Sequence, residues 1–291
     1  MRISIVANPI AGGGKGRIRA EALRAALASR GHETELLVTQ AAGDARRFAE
    51  ERAGAGLDCI VSVGGDGTAN EVVNGLGDST TPYTVLPVGT ANVVARQFGI
   101  PAKPAAVAEM LERNRVQEMD LGMARGEKFL LGAGAGLDAA ITAKVKSRRG
   151  RTSSMWIWVR PSIETILSYR YPKIRVTVDG KVVSEDAHYA IVGNCIYSAG
   201  LFPSTPHAST DDGLLDVCLI HDITPVKCMS LACHVWSPSF TRRRDVLYCQ
   251  GRDVRFEAED EAAPLQIDGD PAGHVPVAFS LLPKAARIIT P

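Results

Sequence analysis

A parallel α/β domain followed by an all-β domain is the fold class that this chain of 291 residues predicts. Three observations lead there. The first third alternates short β-branched runs with helical stretches, the pattern of parallel strands joined by crossover helices. Glycine-rich turns stand where those strands end and helices begin, at AGGGKG (11–16), GGDGT (64–68) and VGTAN (88–92). After about Asp120 the chain changes to short strands separated by turns, the spacing of an all-β domain.

In order, RISIVAN (2–8) predicts the first strand, and a helix follows from about Ile18 to Arg30. TELLVT (34–39) predicts the second strand, a helix starts at Asp44, and DCIVSVGG (58–65) forms a third strand running into a glycine turn. Beyond Asp120 the predicted strands are KFLLGAGA (128–135), KIRVTVDG (173–180), AHYAIVGN (187–194), GLLDVCLI (213–220), DVRFEA (253–258), PLQIDGD (264–270) and VAFSLL (277–282). One helical insertion is expected over roughly 153–168. The length exceeds the roughly 100–200 residues of one domain, so two are expected: 1–122, with 283–291 returning to it, and 123–282.

Composition is that of an ordinary globular chain, 45% apolar and 22% charged with a formal charge of +1, which gives no global electrostatic case for nucleic acid. The start, MRISIVANPIAGGG, has no basic segment followed by a long apolar one, and no apolar run reaches the roughly 18 residues of a membrane span. A cytoplasmic protein is expected, soluble or peripheral to the inner face of the membrane. The six cysteines, Cys59, Cys195, Cys218, Cys228, Cys233 and Cys249, show no C-x-x-C pair and are expected as reduced, mostly buried thiols.

Free backbone amides at a strand-to-helix turn point together, and the helix N-terminus adds positive potential, which suits phosphate. AGGGKG is not a Walker loop, because Pro9 stands where its first glycine belongs and Gly16 where Ser or Thr should hold magnesium. GAGLDA (134–139) fits G-x-G-x-x-A, yet no acid lies about twenty residues on, so a dinucleotide fold is not supported. Taken alone, GGDGT is equally a tight turn in which Asp66 caps the following helix. IDGD (267–270) alone reads as a hairpin turn.

Together, NPIAGGGKGR (8–17), SVGGDGTANEVVNGL (62–76), LPVGTANVVARQFGIP (86–101), MDLG (119–122), GAGAGLDAAI (132–141), DDGLLDV (211–217) and QIDGDP (266–271) resemble, in order and spacing, the diacylglycerol kinase catalytic-domain family. The similarity spans nearly the whole chain and is closest in kind to the compact bacterial lipid kinases related to sphingosine kinase. It implies a nucleotide-binding α/β domain related to those of phosphofructokinase and NAD kinase, a C-terminal β-sandwich, and an active site in the cleft between them. It further implies ATP as phosphoryl donor, Mg2+ as cofactor, and a lipid hydroxyl, of diacylglycerol or a relative, as acceptor.

By position, the resemblance assigns ATP contacts to Asn8, Thr39, Gly64, Gly65, Asp66, Gly67, Thr68, Ala69, Asn70 and Thr90, with Asn92 in support. Glycines let backbone approach phosphate, and Asp66 can orient magnesium or its water shell. The proton acceptor of the late D-G-E motif corresponds to Asp268; a carboxylate there helps only within roughly 2.6–3.2 Å of the hydroxyl. A structural magnesium site corresponds to the Asp212 carboxylate and the carbonyls of Ser209 and Leu214, and Asp120 to a carboxylate linked to the active-site network.

Two positions depart from the family pattern. Asp270 replaces the usual glutamate and shortens its reach by a methylene, so a metal contact there becomes water-mediated. Val93 and Val94 replace an Asp-Phe pair, which leaves the identity of the lipid open. KVKSRRGR (144–151) followed by MWIWVR (155–160) offers basic and aromatic residues for a membrane surface, and equally reads as a solvated turn before a core helix. The expected partner is a lipid substrate at a membrane surface, with no nucleic acid; a homodimer is compatible with the sequence. Competing functions are a small-molecule kinase of the NAD kinase kind and a non-catalytic nucleotide or lipid regulator on the same fold.

Overall fold

The computed structural model describes residues 1–148, 156–197, 202–237, 239–258 and 263–291. They form two compact units: Met1–Asp120 with Pro283–Pro291, and Leu121–Leu282.

In the first unit β1 (Arg2–Ala7) is followed by a four-residue turn of helix, α1 (Ala11–Gly14), then α2 (Gly16–Ala28), β2 (Glu33–Val38), α3 (Asp44–Arg52), β3 (Cys59–Gly64), α4 (Asp66–Leu76), β4 (Tyr83–Pro87), α5 (Val93–Gln97) and α6 (Pro104–Arg113). β5 (Arg115–Ala124) then leads out of it. The strands are parallel in the order β2-β1-β3-β4. Because both faces of such a sheet are covered by helices, β1 and β3 are near-continuous apolar runs, and Ile5, Val6, Ile60, Val61 and Val63 are fully buried.

The first long helix starts at Gly16 rather than near Ile18 and ends at Ala28 rather than Arg30. A Cβ on Gly16 would lie 1.9 Å from the Asn8 carbonyl oxygen, so only glycine lets the helix begin this close to β1. At the other end, Gly31 at φ 80° turns the chain away. α2 buries Ala20, Leu23 and Leu27 on one face, and α4 buries Ala69, Val72, Val73 and Leu76.

The second unit continues with β6 (Glu127–Phe129), β7 (Gly132–Gly136), α7 (Leu137–Arg148), α8 (Trp156–Ser168), β8 (Ile174–Val178), β9 (Lys181–Ala187), β10 (Tyr189–Gly193), β11 (Leu215–Ile220), α9 (Pro225–His234), β12 (Val246–Gly251), β13 (Asp253–Glu257), β14 (Pro264–Ile267), β15 (Asp270–His274) and β16 (Val277–Thr290). One antiparallel sheet has the order β12-β11-β10-β7-β14-β15. A second places β13 between β8 and β16, with β9 outside β8.

Ala133, Ala190, Val192, Val217 and Leu265 from the first sheet share one core with Val176, Val254, Phe256, Val277 and Phe279 from the second, so the two sheets face each other as a sandwich. Phe279 meets Phe256 and Phe129 edge to face, at 5.0 and 6.2 Å between ring centres. The end of β16 belongs to the first unit, where Ile288 pairs in parallel with Tyr83 of β4, and the Thr84 hydroxyl donates to the Ile289 carbonyl at 2.9 Å.

The helical insertion is α8. α7 and α9 accompany it, so the second unit carries three α-helices among its described residues where the sequence led to one. α7 follows GAGAG directly, and its buried residues are not spaced as a clean stripe. α9 does carry a readable start signal, since the Thr224 hydroxyl accepts from the Lys227 N–H at 3.3 Å and Pro225 occupies the first turn. All six cysteines are free; Cys59, Cys195, Cys218 and Cys228 are buried, Cys249 is partly buried and Cys233 exposed.

Candidate active site

At the carboxyl edge of the parallel sheet the backbone stitches neighbouring turns together. The Thr39 N–H donates to Ala7 O and the Asn8 N–H to Val63 O, both at 2.9 Å, while the Val88 and Gly89 N–H groups donate to Gly64 O at 2.8 and 3.2 Å. The three glycine turns therefore sit side by side. A Cβ on Gly89 would lie 2.6 Å from Gly65 Cα, and one on Gly12 would lie 2.5 Å from Val88 O. Glycine at positions 12 and 89 is what lets the turns approach this closely. Asn8, Thr39, Gly64 to Asn70, Thr90 and Asn92 are gathered on this edge; Thr39 and Thr68 are buried and Thr90 is exposed.

Asp66 does something the sequence did not indicate. It is the first residue of α4, yet its carboxylate accepts from the Val94 N–H at 3.1 Å and from the backbone of Asn92 and Val93, at the start of α5. Asn92 is left-handed (φ 49°) and its own side chain turns back to donate to Gly89 O at 2.8 Å, so α5 is capped by Asp66 of another turn. Burial raises the Asp66 carboxyl above its ordinary range, and those backbone donors oppose it.

In the second unit, Asp268 and Gly269 form the two-residue loop of the β14–β15 hairpin, both left-handed at φ 49° and 80°. That is the primed turn for which Asp-Gly is the favoured pair. The Asp268 carboxylate is held by backbone: Oδ2 accepts from the Leu130 N–H at 2.8 Å, and Oδ1 from Leu131 and Gly132 at 2.8 and 3.0 Å. Asp270, exposed on the same hairpin, is ion-paired with Lys146 of α7. Gln266 and Asp138, which sequence reasoning passed over, surround this loop together with Lys146, which the sequence offered to a membrane surface instead. Asp138 is pushed up to about 6 by burial, opposed by a hydrogen bond from Gln266.

The DDGLLDV turn lies at the same edge of that sheet. Asp216 pairs with Gly193, Gly193 with Gly132, and Gly132 O accepts from the Asp268 N–H, which puts the two turns three strands, or ~14 Å, apart. Asp212 is exposed, its Oδ1 accepting from the Leu214 N–H at 3.0 Å and its Oδ2 from Gln250 at 3.3 Å. Buried Asp216 is raised by desolvation, against hydrogen bonds from Tyr248 and Gln250. Among the described residues, no three His, Cys, Asp or Glu side chains cluster as a metal site.

Asp120 is buried in the first unit and accepts from the Lys284 N–H at 2.7 Å. A groove of about 1110 Å³ beside Arg170, Lys173, Arg175, Ser184 and Glu257 contains none of the predicted site residues. Of the proposed membrane stretch, residues 149–155 and the side chains of 148 and 156–158 lie outside the described residues. No described helix is long and apolar enough to cross a membrane.

Residues 2–124 match the diacylglycerol kinase catalytic domain, and residues 132–290 match the YegS C-terminal NAD kinase beta sandwich-like domain. The chain is 28% identical over 264 residues to a diacylglycerol kinase of Bacillus subtilis, covering 90% of this chain and 87% of that protein. It is 30% identical over 277 residues to a probable lipid kinase YegS-like protein of Pseudomonas aeruginosa, covering 93% and 90%. A diacylglycerol kinase crystal structure from Bacillus anthracis str. Sterne superposes with a TM-score of 0.75 at 23% identity, over 100% of this chain and 96% of that one, a likeness of fold.

Proposed function

We infer that this chain, which belongs to the diacylglycerol kinase catalytic-domain family, transfers the γ-phosphoryl group of ATP to a hydroxyl of diacylglycerol or a closely related lipid. Membership makes it a phosphotransferase with a hydroxyl acceptor. The observation that carries the finer reading is the packing of three glycine turns on one sheet edge, so close that a Cβ on Gly12 or Gly89 would meet the backbone of the facing turn, the kind of strand-to-helix turn whose backbone suits phosphate. In this reading residues 1–122 with 283–291 hold the nucleotide, through Asn8, Thr39, the Gly64–Asn70 turn, Thr90 and Asn92. Asp66 acts on the donor side by fixing the start of α5 against the GGDGT turn.

Residues 123–282 are assigned the lipid. Asp268 accepts the proton of the attacking hydroxyl, because it is fixed by three backbone donors and needs no reorganisation. A second assignment is favoured by one contrast: Asp270 is exposed two residues on and its partner is a side chain, Lys146, rather than backbone. Magnesium fits the donor set of Asp212 with the Ser209 and Leu214 carbonyls, since that set is all oxygen and tolerates retained waters. Bound there, the ion supplies a compact positive charge to the turn before β11. The lipid is met at a membrane surface, with the protein peripheral to its inner face, and 144–160 as the contact; a homodimer is compatible with this reading.

The test is direct. Purified protein is incubated with γ-labelled ATP and a total lipid extract, and separately with NAD. Label in a lipid phosphate supports the reading, label in NADP supports the NAD kinase alternative, and ATP binding without transfer to any acceptor supports a regulator.

A further inference from the structure

Asp138 stands in the first turn of α7, and no step above uses it. Its Oδ2 accepts from Gln266 Nε2 at 2.8 Å, and Gln266 Oε1 accepts from the Gly269 N–H at 2.7 Å. These two bonds settle the amide's orientation, because only its NH2 can donate to a carboxylate and only its carbonyl can accept from an N–H. Room for the pair depends on Gly134, where a Cβ would lie 2.4 Å from Asp138 Oδ2 and 3.0 Å from Gln266 Nε2. Gln266 is 5% exposed, so an unsatisfied amide there would be costly.

The β14–β15 loop is thus gripped from both sides. Asp268 is held by the backbone of Leu130 to Gly132, Gly269 by Gln266, and Asp270 by Lys146 from the same α7 that carries Asp138. We propose that Asp138 is a positioning residue for this hairpin: its carboxylate orients the Gln266 amide, and Gln266 in turn holds the Gly269 N–H and the turn that presents Asp268. The consequence for catalysis rests on the reading of that hairpin as the acceptor side of a lipid kinase. Without the Asp138 acceptor, Gln266 can rotate its carbonyl away, and the left-handed Gly269 loses the contact that limits its freedom.

The full chain carrying Asp138→Ala or Asp138→Asn is compared with wild type by amide-resolved hydrogen exchange at Gly269, alongside kcat and KM with ATP and diacylglycerol. Asp138→Ala is expected to speed Gly269 exchange about tenfold and to lower kcat about tenfold or more with KM for ATP unchanged. Asparagine can offer its carbonyl oxygen to Gln266, so Asp138→Asn should restore both to within about threefold of wild type. Unchanged exchange at Gly269 in folded Asp138→Ala, or Asp138→Asn as impaired as Asp138→Ala, overturns the proposal. If Asp138→Ala does not fold, Gln266→Leu carries the same expectations. Absence of wild-type turnover on any lipid counts against the lipid-kinase reading, and exchange at Gly269 then decides the positioning role alone.

Discussion

Replacing Asp138 with asparagine removes one partly buried charge and keeps its hydrogen bond, which gives the stability effect a definite sign and scale. Burial lifts this carboxyl from 3.8 to about 6, which at about 1.4 kcal/mol per pH unit is about 3 kcal/mol. The sign follows from proton binding. Between those two values the folded chain holds a proton that the unfolded chain has released, so stability falls as pH rises from about 4 to 6 and is level above. Asparagine does not titrate. Asp138→Asn should therefore match wild type near pH 4 and exceed it by about 2–3 kcal/mol at pH 8. The groups facing Asp138 are Gln266, whose bond is conserved in the variant, and partly buried Tyr189, which stays neutral over this range. Trp156, Trp158 and Trp236, the chain's three tryptophans, all belong to the second unit. Tryptophan fluorescence during urea unfolding at both pH values thus reads the unit in question. A variant no more stable than wild type at pH 8, or a gain of equal size at pH 4, would refute the reasoning.

Asp268→Asn should abolish lipid phosphorylation while largely sparing ATP binding. It also puts an NH2 group against a backbone N–H, at a cost of about 1–3 kcal/mol, so melting is measured beside turnover. Asp270→Asn should leave melting unchanged; turnover kept in Asp268→Asn and lost in Asp270→Asn would move the proton-accepting role to Asp270. Gly89→Ala forces the GGDGT and VGTAN turns apart, and should cost about 1–3 kcal/mol together with most of the ATP affinity in an equilibrium titration. Full affinity would count against a nucleotide site at these turns. Reversing the charges of Arg148, Arg149 and Arg151 should weaken sedimentation with anionic vesicles, and unchanged binding would remove this stretch from the membrane reading.

Much of the first unit was legible because its signals are local. Strand runs, helical periodicity and the glycines at strand ends each act over a few residues, and the helix limits moved only where Gly16 and Gly31 meet particular backbone geometry. The second unit was harder to read. Alanine-rich α7 emerges directly from a glycine-rich strand without a clean apolar stripe, while the Thr224–Pro225 start of α9 is a signal the strand pattern around it obscured. Gln266 is a lone amide in a short apolar strand, and nothing nearby in the sequence marks its partner.

The sequence by itself determined the two-part architecture, the glycine turns at the strand ends, the Asp-Gly hairpin and the family to which the chain belongs, because propensity, turn chemistry and ordered motifs are written in neighbouring residues. Only the tertiary structure decided what the carboxylates touch. Asp66 caps α5 instead of the helix it begins, Asp268 is pinned by backbone 136 to 138 residues earlier, and Gln266 reaches Asp138 across 128 residues. For Asp268 and Gln266 the reason is strand order: β14 pairs with β7, so a loop late in the chain is completed by groups from its middle.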